Sequence, residues 1–131
     1  MDMVVTFPGS KRIDAHYKGF TIKTDQPKTG GGDGSAPAPF DLFLSSIGTC
    51  AGLYVLSFLQ KRNIPSDNTQ LILRTERNPE THMIDKIAID INLPGNFPEK
   101  YKSAVKSAAN LCSVKKHLLN APAFDINVNI G

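Results

Sequence analysis

The sequence predicts an α+β fold in which antiparallel strands lie before and after one long apolar helix. Segments in the first third and at the end of the chain alternate apolar and polar residues, with the period of two typical of half-buried strands. Between them, residues 42–59 contain no charged side chain, as expected of a buried helix. The length of 131 residues and the 40% of hydrophobic residues fit one globular domain, which we expect to span residues 1–131.

The first strands are expected to form a small antiparallel meander. Residues 3–7 are rich in β-branched side chains, and residues 13–17 and 20–25 alternate apolar with polar side chains. Turn residues separate these segments at positions 8–10 and 18–19. The three strands are therefore neighbours in one sheet.

Residues 25–39 interrupt this pattern with four glycines and three prolines. No Gly-Lys-Ser/Thr sequence follows these glycines, so the segment lacks the signature of a phosphate-binding loop. Long irregular loops in compact domains are usually functional or disordered. We interpret this segment as a covering loop or a linker.

Residues 40–62 predict a long helix. Pro39 suits its first turn, and Asp41 complements the positive end of the helix dipole. The uncharged stretch is long enough to cross a bilayer. It also contains hydroxyl side chains, which are unfavourable in a spanning helix, and we therefore expect no membrane contact.

The apolar character of this helix on all sides predicts a second subunit. One chain of 131 residues cannot easily bury every face of such a helix. Gly48 and Gly52 lie four residues apart on one face, and each costs about 1 kcal/mol relative to alanine. Such glycines are tolerated where another backbone approaches closely, so we expect helix-to-helix contact, including contact across a dimer axis.

The second half of the chain is expected to contain a hairpin, two helices and a last strand. The hairpin strands are residues 71–75 and 84–93, and the first helix runs to about residue 110. A short helix follows from residue 112 or 113 to 119. Residues 123–130 alternate apolar with polar side chains and predict the closing strand.

The composition excludes several classes of function. A net charge of +3 with dispersed basic residues does not point to nucleic acid. The first residues lack the basic and apolar regions of a secretory signal, so we expect a cytoplasmic protein. Two cysteines are too few for a disulfide scaffold, and no cofactor-binding motif is present.

The two cysteines are the candidate reactive groups. Cys50 lies in the middle of the long helix among small residues, and Cys112 begins a short helix, where peptide N–H groups favour a thiolate. Cys112 and His117 are separated by roughly 140° around a helix axis, so they do not converge on one metal ion, and we expect no metal site. The competing interpretation is that both thiols are inert core residues.

The two cysteines lie in distinctive segments, Pro-Phe-Asp-Leu-Phe-Leu-Ser-Ser-Ile-Gly-Thr-Cys at 39–50 and Leu-Cys-Ser-Val-Lys-Lys-His-Leu at 111–118. In this order, the two segments resemble the OsmC/Ohr family of osmotically inducible and organic-hydroperoxide-resistance proteins. The resemblance implies an intertwined homodimer with antiparallel sheets wrapped around a long central helix. It also implies a peroxidase that reduces organic hydroperoxides, and hydrogen peroxide more weakly, with a thiol reductant.

The resemblance also assigns roles to residues. Cys50 would be the peroxidatic cysteine and Cys112 the resolving one, without a cofactor. Arg12 is the candidate for the family's active-site arginine, and Asp41 is the nearest carboxylate to the family's glutamate position, which Phe40 occupies here. Two alternatives remain open: a non-catalytic, stress-related binding protein and a thiol redox sensor.

Overall fold

A computed structural model describes all 131 residues of the chain. Contacts within the chain divide it into two compact units, Met1–Ser45 and Ser46–Gly131. The secondary structure combines antiparallel strands with one long helix, which confirms the predicted α+β class. The single domain expected over residues 1–131 stays a prediction.

The first unit contains the predicted meander. Strands β1 (Val4–Gly9), β2 (Arg12–Tyr17) and β3 (Phe20–Thr24) form one antiparallel sheet in the order β1-β2-β3. The β2–β3 turn uses left-handed backbone at Lys18 and Gly19, with φ of 51° and 80°. A glycine adopts such a φ without steric cost, which is why this sequence turns here.

The Gly/Pro loop has a defined conformation that favours glycine at position 32. A Cβ atom on Gly32 would overlap the carbonyl oxygen of Gln26, so a larger residue requires the backbone to shift. The N–H of Gly34 donates to the same carbonyl at 3.0 Å, and one 3-10 turn spans Lys28–Gly30. Residues 32–34 of the loop therefore contact Gln26, near the point where the loop begins.

The second unit follows the predicted order of elements. The long helix α1 covers Pro39–Lys61 and begins in the first unit. Strands β4 (Gln70–Arg77) and β5 (Ile84–Asn92) form an antiparallel hairpin. Helices α2 (Lys102–Ala109) and α3 (Ser113–Leu119) complete the unit, and a 3-10 turn precedes α2.

The core of the second unit lies between the C-terminal half of α1, the hairpin and α2. Val55, Phe58 and Leu59 of α1 pack against Val105 of α2. Partly buried side chains from β4 and β5 surround this cluster. Helix α1 is long and apolar enough to cross a membrane, but this packing identifies it as a core helix.

One chain covers only part of α1. Leu53 is 59% exposed, and nothing lies within 4 Å of the Cβ position of Gly52. Gly48 faces the side chain of Leu73 in β4, at 3.8 Å from its Cβ position. The chain itself therefore covers one side of α1, and contact of the other side with a second subunit stays a prediction.

The prediction of a closing strand at residues 123–130 is wrong for the single chain. These residues form neither helix nor strand. A strand requires a neighbour to pair its backbone N–H and C=O groups. The alternating pattern shows that the segment suits a sheet, whereas the chain itself places no strand beside it.

Candidate active site

The second unit brings the two cysteines together. Cys50 lies half-buried in the middle of α1, and Cys112 is the residue immediately before α3, with 2% of its surface exposed. Both thiols are free, and they lie close enough together that each shifts the pKa of the other. The two predicted residues therefore form one site.

The start of α3 stabilises the thiolate of Cys50. The backbone N–H of Val114 lowers the pKa of Cys50, and burial opposes this effect. The thiol of Cys112 and the N–H of Ser113 lower the pKa of Cys50 further. Hydrogen bonds to the charged form of a group favour that form.

The effect on Cys112 is opposite to the sequence expectation. Burial raises the pKa of Cys112 most, although the N–H of Lys115 partly offsets this. The hydrogen bond to Cys50 raises it further. The helix N-terminus was expected to favour a Cys112 thiolate, and the N–H groups of Lys115 and Val114 do lower the pKa of Cys112, but burial outweighs them. Cys50, whose pKa is lowered, is therefore the more readily ionised thiol of the pair.

Two contacts between α1 and the start of α3 position this pair. The hydroxyl of Tyr54, one helical turn beyond Cys50, lies 3.3 Å from the hydroxyl of Ser113. The thiol of Cys112 also lies 4.0 Å from the carbonyl oxygen of Ile47. Sequence reasoning missed Tyr54, although its spacing of four residues from Cys50 places it on the same face of α1.

The pKa difference predicts which thiol is alkylated first. With iodoacetamide at increasing pH, we expect Cys50 to react at a pH below that of an unperturbed cysteine, because the thiolate is the nucleophile. Cys112 is expected to react at higher pH, because its pKa is raised. Peptide mapping by mass spectrometry measures both residues in one sample. Modification of Cys112 before Cys50 would contradict the assignment.

Arg12 lies in the first unit and is held by the Gly/Pro loop. Its Nη2 forms a salt bridge with Oδ2 of Asp33 at 2.8 Å, and its Nε donates to the hydroxyl of Ser35 at 3.3 Å. Asp41 lies exposed in the first turn of α1, and its carbonyl oxygen accepts a hydrogen bond from Ser45. The carboxylate partner of Arg12 is thus Asp33 rather than Asp41.

A buried carboxylate orders the loop that holds Arg12. Asp25 is fully buried and accepts hydrogen bonds from the hydroxyl of Ser35 at 2.6 Å, from its N–H at 3.0 Å and from the N–H of Gln26 at 2.7 Å. The Ser35 bonds contribute most to lowering the pKa of Asp25 from 3.8 to about 2. Arg12, Ser35 and Asp25 therefore form a continuous chain of hydrogen bonds.

Replacing Asp25 with asparagine is expected to remove the acid-dependent part of the stability of this unit. A lowered folded pKa favours folding above the unfolded pKa near 3.8, and this contribution disappears as the pH falls toward 2. Asp25→Asn should lower Tm at pH 7 by roughly 5 °C and flatten the decline of Tm between those pH values. Calorimetry from pH 2 to 7 tests this, with Asp67→Asn in an exposed turn as control. Equal acid sensitivity of the Asp25→Asn and unsubstituted proteins would contradict it.

The histidines do not combine with the thiols into a metal centre. No group of three or more histidine, cysteine, aspartate or glutamate side chains is arranged to hold a metal ion. The ring Nδ1 of His117 instead lies 2.7 Å from the carbonyl oxygen of Ser113, within α3. His16 lies between the hydroxyls of Thr6 and Thr21 in the first sheet.

Fold and site together define a class of protein: a small α+β thiol protein with a cysteine of lowered pKa on a long central helix and a second cysteine beside it. The sequence profile of OsmC-like proteins matches residues 32–127. The chain belongs to this family. No curated protein matches the sequence.

Solved structures share the fold of this chain. A Psychrobacter arcticus protein assigned to osmotic stress and detoxification is 22% identical, with a TM-score of 0.72 over 87% of this chain and 85% of that chain. An OsmC-like protein from Mycoplasma pneumoniae is 16% identical, with a TM-score of 0.70 over 99% and 94% of the two chains. An organic hydroperoxide resistance protein from Legionella pneumophila is 15% identical, with a TM-score of 0.52 over 90% and 89%. At these identities the similarity establishes the fold.

Proposed function

We propose that this protein is a thiol-dependent peroxidase that reduces organic hydroperoxides and, more weakly, hydrogen peroxide. The observation that carries the proposal is the pairing of Cys50, whose pKa is lowered chiefly by the N–H of Val114, with the protonated thiol of Cys112. A peroxidase of this kind needs one thiolate to attack and one thiol to resolve the product. Membership of the OsmC-like family and the Legionella hydroperoxide resistance protein of the same fold support the proposal.

The first step consumes the hydroperoxide. The Cys50 thiolate attacks the terminal oxygen of ROOH, the O–O bond breaks, and the alkoxide leaves and takes a proton to become ROH. Sulfur is oxidised to a sulfenic acid, Cys50–SOH. The N–H groups that lower the pKa of Cys50 thus increase the fraction of the thiol present as the nucleophilic thiolate at a given pH.

The second step traps the sulfenic acid. The sulfur of Cys112 attacks Cys50–SOH, a disulfide forms, and water leaves with the hydroxyl of the sulfenic acid and the proton of the thiol. A dithiol reductant then exchanges with the disulfide and restores both thiols. Burial of Cys112 beside Cys50 favours this reaction over further oxidation, because the resolving sulfur is already in place.

We extend the proposal to the charged residues of the first unit. The resemblance makes Arg12 the candidate for the cation that favours the thiolate and the developing charge on the peroxide oxygen. Asp33, which contacts the Arg12 guanidinium, is the carboxylate that orients Arg12 in this proposal. Asp41, the nearest carboxylate to the family's glutamate position, serves the N-terminus of α1 instead. We further propose a cytoplasmic homodimer that functions without a cofactor, nucleic acid or membrane.

Peroxide turnover by the unsubstituted protein tests this function. The protein is incubated with dithiothreitol and either tert-butyl hydroperoxide or hydrogen peroxide, and peroxide loss is followed against a protein-free control. We expect multiple turnovers, faster with the organic hydroperoxide. Oxidation of the thiols without turnover would indicate a redox sensor, and unchanged thiols would indicate a non-catalytic protein; either result would overturn the proposal.

A further inference from the structure

A cavity of about 410 Å³ reaches the thiol pair from the side of Cys112. Residues of α1, β5, α2 and α3 line it, and Cys112 forms part of its wall beside Ile47 and Ala51 of α1. Cys50 is not among the lining residues. Only 2% of the surface of Cys112 is exposed, so a small molecule meets this residue through the cavity.

Most of the cavity wall is apolar. Branched aliphatic side chains from three elements contribute to it: Ile47 of α1, Ile87, Ile89 and Ile91 of β5, and Leu118 and Leu119 of α3. Cavities of roughly 300–1,000 Å³ with predominantly apolar walls are typical binding sites for small molecules. This wall is therefore suited to an aliphatic chain.

Three exposed lysines line the same cavity. They are Lys86 of β5, Lys106 of α2 and Lys115 of α3. Asp85 is the one acidic residue that lines it. The Nζ of Lys115 donates to Oδ1 of Asn110 at 2.7 Å, which leaves two of its three N–H donors for a ligand. Positive charge beside an apolar wall favours a ligand that combines an aliphatic chain with a carboxylate.

The disulfide between Cys50 and Cys112 breaks most readily when Cys50 is the leaving group. In thiol–disulfide exchange, the sulfur whose thiol has the lower pKa leaves faster. The pKa of Cys50 is lowered, chiefly by the N–H of Val114, whereas burial raises the pKa of Cys112. Attack on the sulfur of Cys112 therefore releases the better leaving group, and the cavity lies on that side of the pair.

We propose that this cavity binds the reductant, an aliphatic thiol that carries a carboxylate, and that the reductant attacks the sulfur of Cys112. The inference rests on the proposed function, because it concerns the disulfide formed in that reaction. It adds the chemical class of the reductant, the lysines that select it and the sulfur at which reduction begins.

The exchange takes place in two steps. The thiolate of the reductant bonds to the Cys112 sulfur, the bond between Cys50 and Cys112 breaks, and Cys50 leaves as a thiolate. A second reductant thiolate then attacks the reductant sulfur of this mixed disulfide, and Cys112 leaves. The protein disulfide gains two electrons, the reductant is oxidised to its own disulfide, and the protons of its two thiols restore the protein thiols.

The first test compares two thiols that differ in charge. Protein is oxidised with diamide, which forms the disulfide without a hydroperoxide, and its reduction is followed with mercaptopropionate or with neutral mercaptoethanol. The double variant Lys106→Gln/Lys115→Gln should slow reduction by mercaptopropionate about fivefold or more and reduction by mercaptoethanol less than about twofold. Comparing each variant with the unsubstituted protein for the same thiol cancels the intrinsic reactivity of that thiol.

The control for charge is Lys61→Gln, at the exposed end of α1 and outside the cavity. Its rates should match those of the unsubstituted protein with both thiols. Circular dichroism verifies that the variants are folded.

The second test identifies the attacked sulfur. The reaction with mercaptopropionate is stopped at early times with excess N-ethylmaleimide, and peptide mapping locates the mixed disulfide. We expect mercaptopropionate on the Cys112 peptide and N-ethylmaleimide on the Cys50 peptide.

A mixed disulfide on Cys50 would overturn the inference, as would a double variant that is slowed equally with both thiols or with neither. These results would leave the peroxidase proposal intact. A disulfide that forms with diamide but not with a hydroperoxide would overturn the peroxidase proposal alone. Failure of diamide to join Cys50 and Cys112 would overturn both.

Discussion

Replacing Cys50 with serine is expected to abolish hydroperoxide turnover, with a fall of about a thousandfold or more. A serine hydroxyl in this position keeps the size of the side chain but is not ionised near neutral pH, whereas the pKa of Cys50 is lowered, chiefly by the N–H of Val114. The nucleophile would therefore be lost with little change in packing. The measurement is steady-state loss of tert-butyl hydroperoxide with dithiothreitol in excess.

The control for this substitution lies on the same helix. Thr49→Ser changes the neighbouring exposed residue of α1 and leaves both thiols in place, so its rate should stay near that of the unsubstituted protein. If Cys50→Ser retained the original rate, the peroxidase proposal for Cys50 would be wrong. A residual rate equal to the protein-free rate would support it.

Replacing Cys112 with serine is expected to separate the two steps of the reaction. The first equivalent of hydroperoxide should still be consumed, because Cys50 and the N–H groups of Ser113 and Val114 remain. The sulfenic acid then lacks its partner and is expected to persist or to oxidise further to the sulfinic acid. Later turnovers should slow sharply. Single-turnover kinetics and the mass of the Cys50 peptide after excess peroxide measure both effects.

Lys116→Gln, in the helix that Cys112 directly precedes, serves as the matched control. It leaves both sulfurs in place and should form the disulfide without sulfinic acid. Rapid, repeated turnover by Cys112→Ser without over-oxidation would show that Cys112 does not resolve the sulfenic acid. The same result would leave the role of Cys50 intact, so the two substitutions test different parts of the proposal.

Local sequence patterns predicted most of the fold. The uncharged residues 42–59 lie within α1. An apolar stretch of this length between polar ends is buried in an α+β domain most readily as a helix. The alternating segments became β2, β3 and β5 for the same local reason. The tail at 123–130 has the same alternation but no strand beside it. Alternation predicts suitability for a sheet, whereas pairing depends on residues distant in the sequence or in another chain.

The candidate site was predictable in its residues and less so in its electrostatics. Cys50 and Cys112 are brought together as the two motifs indicated. The pKa of each thiol depends on its burial and on the direction of individual N–H groups at the start of α3. The spacing of residues in the sequence predicts neither of these. The contacts of Arg12 with Asp33 and Ser35 were missed because an irregular Gly/Pro loop has no periodicity from which contacts can be read.

The most direct test of the central claim is the product formed from one equivalent of organic hydroperoxide in the absence of reductant. Intact mass and peptide mapping should show a loss of two hydrogen atoms per chain and a cross-link between the peptides that contain Cys50 and Cys112. This result is expected because the two thiols lie close enough together that each shifts the pKa of the other. Recovery of both free thiols alongside unconsumed hydroperoxide would contradict the claim that this pair is a peroxidatic and resolving couple.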